Sequence, residues 1–330
     1  MQSIFYERAR DVPHALQLGS QPGARYIGGG TNLLDLMKGD VEHPARLVDV
    51  THAGLDRIEA LPNGWLRIGA VARNSDTANH PLVRTRYPLL TQALLSGASP
   101  QLRNMATMAG NLLQRTRCPY FTDTAFDKCN KRMPGSGCGA REGWQRMHAI
   151  LGASDACIAV NPSDMNVALA ALDGVVAVAG QRGERRIPVT EFHRLPGNTP
   201  QFDTVLQPGE LITGVELPPP QFNRYHYLKL RDRASYAFAL VSAAVLLQMD
   251  GNTISHARVA LGGVAHKPWR VPAAEALLTG VQLTDDVGRQ VAAAMLAGAS
   301  AYRDNQFKVE LAQRAVVRAL RNAAEGREAA

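Results

Sequence analysis

Cys118, Cys129, Cys138 and Cys157 are the only thiols of this 330-residue chain, with 10, 8 and 18 residues between successive members. Three chemistries suit such a set. A structural zinc site usually shows a CxxC pair, because a tight turn brings two ligands together, and none occurs here. Two disulfides suit a secreted chain, although a chain of this length builds a core that needs no stapling. An iron–sulfur cubane needs four thiolates converging from a loop-rich segment and tolerates wide spacing. Cys118-Pro119 and Pro134-Gly135-Ser136-Gly137-Cys138 supply the loop. Arg115, Arg117, Lys128, Lys131 and Arg132 stand beside it and would offset a cluster's negative charge. Spacing alone leaves all three open.

A second chemistry is written in glycine. The run Ala24 to Ile27 leads into Gly28-Gly29-Gly30, then into an apolar helix that Thr31 or Asn32 is placed to cap. Consecutive glycines let the backbone approach a ligand and aim successive N–H groups at an anion. The spacing is not GxGxxG, and no acidic residue ends a following strand at the dinucleotide distance. A second turn runs from Gly97 to Leu113. Gly97, Ala98, Ala106, Ala109 and Gly110 allow close approach, while Thr107 and Asn111 offer polar contacts. The two turns could grip opposite ends of one phosphate-bearing ligand; a plain strand–turn–helix is the alternative for each. Asp164 follows Ser163 at a helix start, where an acid complements the dipole or accepts from ribose or ribityl hydroxyls. His148, His193 and His266 form no ligand spacing and read as solvated or packed.

Elements must position these groups. Strands are expected at 4–6, 24–27, 46–50, 57–60 and 65–69, the last two joined as a hairpin by Pro62-Asn63-Gly64. Helices are expected at 12–18, 74–78 and 89–95. This mixture without regular βαβ alternation points to α+β rather than a doubly wound sheet. A helix from Ser163 to Leu172, closed by Gly174, precedes paired strands at 175–179 and 185–188. A loop begins at Thr190, and 211–217 reads as a strand with an exposed face. Pro218-Pro219-Pro220 cannot sit in a ladder and marks a boundary between units 1–220 and 221–330. Beyond it come strands at 225–231, 238–249 and 254–261, then helices at 273–278, 286–299 and 307–323, a sheet with helices on one face.

Hydrophobic content of 45% and charged content of 20% are ordinary for a globular protein. No apolar run approaches the roughly 20 residues of a membrane span. Met1 to Arg8 lacks a basic start before an apolar core, so the chain is expected to be cytoplasmic or exported folded beside a signal-bearing partner. The net charge of +7 invites nucleic acid, but the basic residues are dispersed and aromatics make up only 6%. Docking an acidic subunit is the better use of that charge.

Ile27-Gly28-Gly29-Gly30-Thr31-Asn32-Leu33-Leu34, Arg103-Asn104 through Thr107-Met108-Ala109-Gly110-Asn111, and Ser163-Asp164 resemble the FAD-binding subunit of molybdenum hydroxylases, the xanthine dehydrogenase and carbon monoxide dehydrogenase family. The resemblance covers essentially the whole chain. Gln114 through Phe121, Cys129 through Arg132, and Arg231 through Val241 narrow it to the medium subunit of periplasmic aldehyde oxidoreductases. It implies a two-part FAD-binding domain of the vanillyl-alcohol-oxidase type with an iron–sulfur insert at about 114–160, then a smaller α+β domain of the carbon monoxide dehydrogenase flavoprotein type.

By the same resemblance, Ile27, Gly28, Gly29, Gly30, Thr31, Asn32, Leu33 and Leu34 wrap the FAD pyrophosphate. Gly97, Ala98, Thr107, Gly110, Asn111 and Leu113 line the flavin and its phosphate. Asp164 takes a sugar or ribityl hydroxyl, Ile212 packs near the isoalloxazine, and Lys229 sits near the flavin. Relatives commonly set a large aromatic against the flavin where Gly97 stands here. Cys118, Cys129, Cys138 and Cys157 ligate a [4Fe-4S] cluster. No catalytic acid or base is implied. A large subunit with molybdenum cofactor oxidises an aldehyde to a carboxylic acid, and a small [2Fe-2S] subunit passes electrons to FAD here and on to an external acceptor, in a periplasmic heterotrimer. The rivals are the FAD subunit of a 4-hydroxybenzoyl-CoA reductase and a docking subunit without flavin.

Overall fold

The computed structural model describes residues 3–327; Met1 and Gln2 of the N-terminal stretch, and residues 328–330 of the C-terminal unit, lie outside the described residues. Strands Phe5–Arg8, Arg46–Asp49 and Ala24–Ile27 form a small parallel sheet with Arg46–Asp49 in the middle. A second sheet, wholly antiparallel, runs in the order Ile58–Ala60, Leu66–Gly69, Leu211–Leu217, Val175–Gly180, Gly183–Pro188. Leu66–Gly69 is far in sequence from the next strand of that sheet, Val175–Gly180, so the segment between them, including the cysteine-bearing stretch, is an excursion from one sheet. The mixed architecture is α+β, as expected.

Leu211–Leu217 departs from its expected exposed face: all seven residues are buried. It occupies the centre of its sheet, where a strand is flanked by neighbours on both edges and covered by packed layers. Short helices missed at sequence level occur at Pro81–Arg86, started by its proline, and at Val189–Phe192 where a loop was expected.

The third sheet runs Trp269–Arg270, Thr253–Gly262, Val241–Asp250, Arg224–Leu230, with Val281–Gln282 added to Thr253–Gly262. Helices Asp285–Met295 and Phe307–Ala324 place Val291, Met295, Ala312, Val316 and Leu320 against Val245, Leu247 and Val259 of that sheet in one apolar core. Each large aliphatic chain buried there is worth about 1.5–3 kcal/mol. A larger core joins the first two sheets to helix Asp164–Ala171 and to Tyr227, Ala244, Leu246 and Ala260 of the third, and Leu36, Phe121 and Cys129 form a small cluster of their own.

Helix Asp164–Ala171 is buried at all eight positions, and so carries no polar face. Ser163 caps it, accepting from the Asn166 N–H at 3.1 Å. The left-handed residue that ends it is Asp173, at φ 52°, rather than the expected Gly174.

Candidate functional site

The three-glycine turn after Ala24–Ile27 forms one wall of an open cleft. Ile27, Gly28, Gly29, Gly30, Thr31, Asn32, Leu33, Thr107, Gly110, Leu113 and Ile212 all line it. The turn needs glycine because it is pressed onto the second turn: a Cβ on Gly29 would fall 1.7 Å from the Met105 carbonyl oxygen. Gly30 sits at φ 72°, where a side chain strains the backbone. The two turns therefore abut and build a single wall instead of gripping opposite ends of a ligand.

Helix Leu33–Lys38 has Asn32 at its N-cap, yet neither Thr31 nor Asn32 makes the expected side-chain cap. Asn32 Oδ1 accepts from the Arg115 N–H at 3.0 Å, and Asn32 Nδ2 is buried without a partner. An orphan donor beside glycine amides suits an anion. Thr107 accepts from the Gly110 N–H at 3.2 Å, capping the short helix Met108–Leu112. Tyr26, Val50, Ala70, Val71, Glu210 and Leu211 also line the cleft and were missed. They arrive through sheet register, which leaves no local signal; only the Pro208-Gly209 turn before Glu210 hinted at a loop there.

Gly97, Ala98, Asn111, Asp164 and Lys229 do not line this cleft. Asp164 is buried and committed: Lys229 Nζ donates to Oδ2 at 2.8 Å and the Tyr227 hydroxyl to Oδ1 at 2.7 Å. A Cβ on Gly97 would stand 3.3 Å from Asp164 Oδ2, so Gly97 leaves room for the carboxylate. Ala98 lies beside it at φ 51°. Asn111 joins the two groups, its Oδ1 accepting from the Ser163 hydroxyl at 2.7 Å.

The cysteines converge. Cys118, Cys129, Cys138 and Cys157 line one tight cavity, with Lys128, Lys131, Thr116, Tyr120 and His148. All four are free thiols. Among the described residues no three Cys, His, Asp or Glu side chains converge tightly enough for a single metal ion. The Ala159 N–H donates to Cys157 Sγ at 3.5 Å, and His148 Nε2 lies 3.1 Å from Cys118 Sγ. Burial pushes the Cys118 thiol up to about 12 and the Cys157 thiol up to about 11, so neither is a thiolate at neutral pH without a ligand to hold.

A buried polar chain joins cavity and cleft. Lys131, 3% exposed, reaches Asp203 Oδ1 at 2.6 Å, the Pro200 carbonyl at 2.6 Å and His266 Nε2 at 2.8 Å. Arg115 Nε donates to Asp203 Oδ2 at 2.8 Å, and its guanidinium also pairs with Glu42. Burial alone would raise the Asp203 carboxyl, but Lys131 and Arg115 hold it well below the usual carboxylate range. Leu113 lines the cleft and Thr116 the cavity, so the two walls are three residues apart, at most roughly 11 Å of chain.

Of the basic residues expected around a cluster, Lys128 and Lys131 do line the cavity. Arg115 is paired away from it, Arg117 stacks on Phe238, and Arg132 holds the carbonyls of Tyr120, Phe121 and Asp123. The histidines are packed, not solvated. Burial pushes His148, His193 and His266 each down to about 4. His193 Nε2 donates to the Leu112 carbonyl at 2.9 Å, behind the cleft.

The sequence model described as the FAD binding domain in molybdopterin dehydrogenase matches residues 2–220, and that described as the CO dehydrogenase flavoprotein C-terminal domain matches 225–323. The chain is 53% identical to the aldehyde oxidoreductase FAD-binding subunit PaoB of Escherichia coli K12, across 98% of this chain and 99% of that one. It is 27% identical to the glyceraldehyde dehydrogenase medium chain of Sulfolobus acidocaldarius, across 87% and 85%. Carbon monoxide dehydrogenase of Hydrogenophaga pseudoflava, solved without the Mo-pyranopterin moiety, superposes with a TM-score of 0.76 at 26% identity, covering 98% of each chain. With an FAD-binding model over the glycine cleft and a relative matched nearly end to end, the chain belongs to the family of FAD-binding subunits of molybdopterin-dependent dehydrogenases and is an oxidoreductase subunit.

Proposed function

We propose that this chain is the FAD- and [4Fe-4S]-bearing electron-transfer subunit of a molybdenum-dependent aldehyde oxidoreductase. The observation that carries it is the convergence of all four thiols on one cavity beside the glycine cleft. A zinc ion would need four donors around one point, whereas a cubane takes one thiolate at each of four irons and accepts a more open set. The Ala159 N–H aimed at the Cys157 sulfur and the His148 ring beside the Cys118 sulfur suit a cluster. Bound FAD supplies the change from electron pairs to single electrons.

This chain's own residues bind and orient. Gly28 to Leu33, with Asn32 Nδ2, take the pyrophosphate; Thr107, Gly110 and Leu113 continue that wall, and Ile212 lies against the ring. Gly97, Ala98, Asn111, Asp164 and Lys229 form the adjoining polar group, where Asp164 can exchange a partner for a sugar hydroxyl. Similarity to an aldehyde oxidoreductase subunit supports aldehyde oxidation to a carboxylic acid by a large molybdenum-cofactor subunit. A small [2Fe-2S] subunit completes a heterotrimer that feeds an external acceptor. Division at the Pro218–Pro220 run into a flavin unit and a C-terminal unit, and a periplasmic location reached beside a signal-bearing partner, belong to the same reading.

The test is anaerobic purification with co-expressed partners, measuring iron, acid-labile sulfide and FAD per complex beside a Cys129→Ser variant. Full FAD with about four irons lost in the variant is expected. Full FAD with no iron lost would sink the cluster and keep the flavoprotein.

A further inference from the structure

His148 presents one ring nitrogen to the cysteine cavity and hides the other. Nε2 lies 3.1 Å from Cys118 Sγ, while Nδ1 is buried without a partner. A neutral imidazole carries one N–H. With that hydrogen on Nδ1, a bare Nε2 lone pair would face a sulfur that, once bound to iron, has no hydrogen to give. On Nε2 it points at sulfur. A doubly protonated ring would still carry a hydrogen on Nε2, so the N–H···S contact holds in either state.

The insert does not hold this ring alone. Lys308 Nζ, fully buried, donates to the His148 carbonyl at 2.8 Å and to the Gly263 carbonyl at 2.5 Å. Asn305 Nδ2 reaches the carbonyls of His148 and Ala149, each at 3.2 Å. The Ile150 and Leu151 amides bond the Val264 carbonyl at 2.9 and 3.0 Å. Lys308 and Asn305 stand at the start of helix Phe307–Ala324 and just before it, and Gly263 and Val264 follow strand Thr253–Gly262. The C-terminal layers thus grip residues 148–151 from two segments, 305–308 and 263–264, and set the ring on the sulfur.

We infer that His148 is a positioning residue, an N–H donor to the Cys118 sulfur that sets the reduction potential of the four-iron cluster, and that Lys308 and Asn305 fix it there. The inference rests on the cluster reading above. Hydrogen bonds to ligand sulfurs stabilise the reduced, more electron-rich cluster and raise its potential.

The test uses the whole complex, with iron, sulfide and FAD per chain measured beside an EPR-monitored redox titration of the signal that disappears in Cys129→Ser. In His148→Phe, which keeps a ring but no N–H, full iron and a lower midpoint are expected, with the FAD and [2Fe-2S] midpoints unmoved. His148→Gln, which keeps an amide donor, should restore most of the shift. Lys308→Met, which frees the His148 carbonyl, should move the midpoint in the same direction as His148→Phe. Full iron with a wild-type midpoint in His148→Phe would overturn the inference, as would loss of the cluster from both His148 variants, which would make the ring a support only. A wild-type midpoint in iron-replete Lys308→Met would overturn the role of the C-terminal grip. A wild-type complex lacking Cys129-dependent iron would defeat the cluster reading itself, an outcome distinct from all of these.

Discussion

The glycine cleft and the cysteine cavity lie three residues apart along the chain and are built in opposite ways. The glycine wall of the cleft is made of backbone: two turns pressed together, with Gly29 on the Met105 carbonyl. The cavity is made of side chains on loops, braced by buried charge, Lys131 on Asp203 and Asp203 on Arg115. A site made of backbone fails when an atom is added, whereas a site made of side chains fails when a partner is removed. The bond from the Arg115 N–H to Asn32 is where the two meet.

Gly29→Ala is the hardest test of that contrast. The added carbon cannot coexist with the Met105 carbonyl, so FAD per chain should fall to near zero while iron is retained; a variant that keeps full FAD would refute a backbone-made cleft. Asp203→Asn attacks the bridge. It strips the shared anion from Lys131 and Arg115, should lower stability by about 3–5 kcal/mol in urea unfolding, and should reduce iron and FAD together. Loss of iron alone would show that the two regions are uncoupled.

A smaller effect is expected from pH. The folded-state pKa of His193 is pushed down to about 4 from an ordinary 6.5. Its contribution is complete above pH 6.5 and is lost as pH falls toward 4, because the unfolded chain then binds more protons. The loss should reach about 2 kcal/mol by pH 5, and His193→Leu should flatten that part of the profile of unfolding midpoint against pH. The least effect belongs to Thr107→Ala, which removes a cap and should lower stability by about 1 kcal/mol, with FAD affinity weakened only a few-fold by titration.

Legibility followed the same contrast. Ile27 to Leu33, Thr107, Gly110 and Leu113 were readable because glycine and capping residues act within a few positions of themselves. Local patterning, alternation at 225–231 and an apolar run at 254–261, located Arg224–Leu230 and Thr253–Gly262 for the same reason. The burial of Leu211–Leu217 was not readable, since a strand's two flanking neighbours are chosen by the whole sheet. Asp164 looked free as a helix-start acid, yet Lys229 and Tyr227 claim it from another sheet. The three histidines have no spacing that betrays them; each is buried against a group remote in sequence, Cys118, Leu112 or Lys131.

The sequence by itself determined most of the elements, the glycine turns and the presence of four thiols, all properties of residue type and near neighbours. Tertiary structure alone decided that the thiols share one cavity, that a buried charge chain ties that cavity to the cleft, and that Lys308 sets His148 on Cys118. Those facts depend on which distant segments pack together, and a buried charge or an N–H···S contact gains its strength only once packing has removed the water.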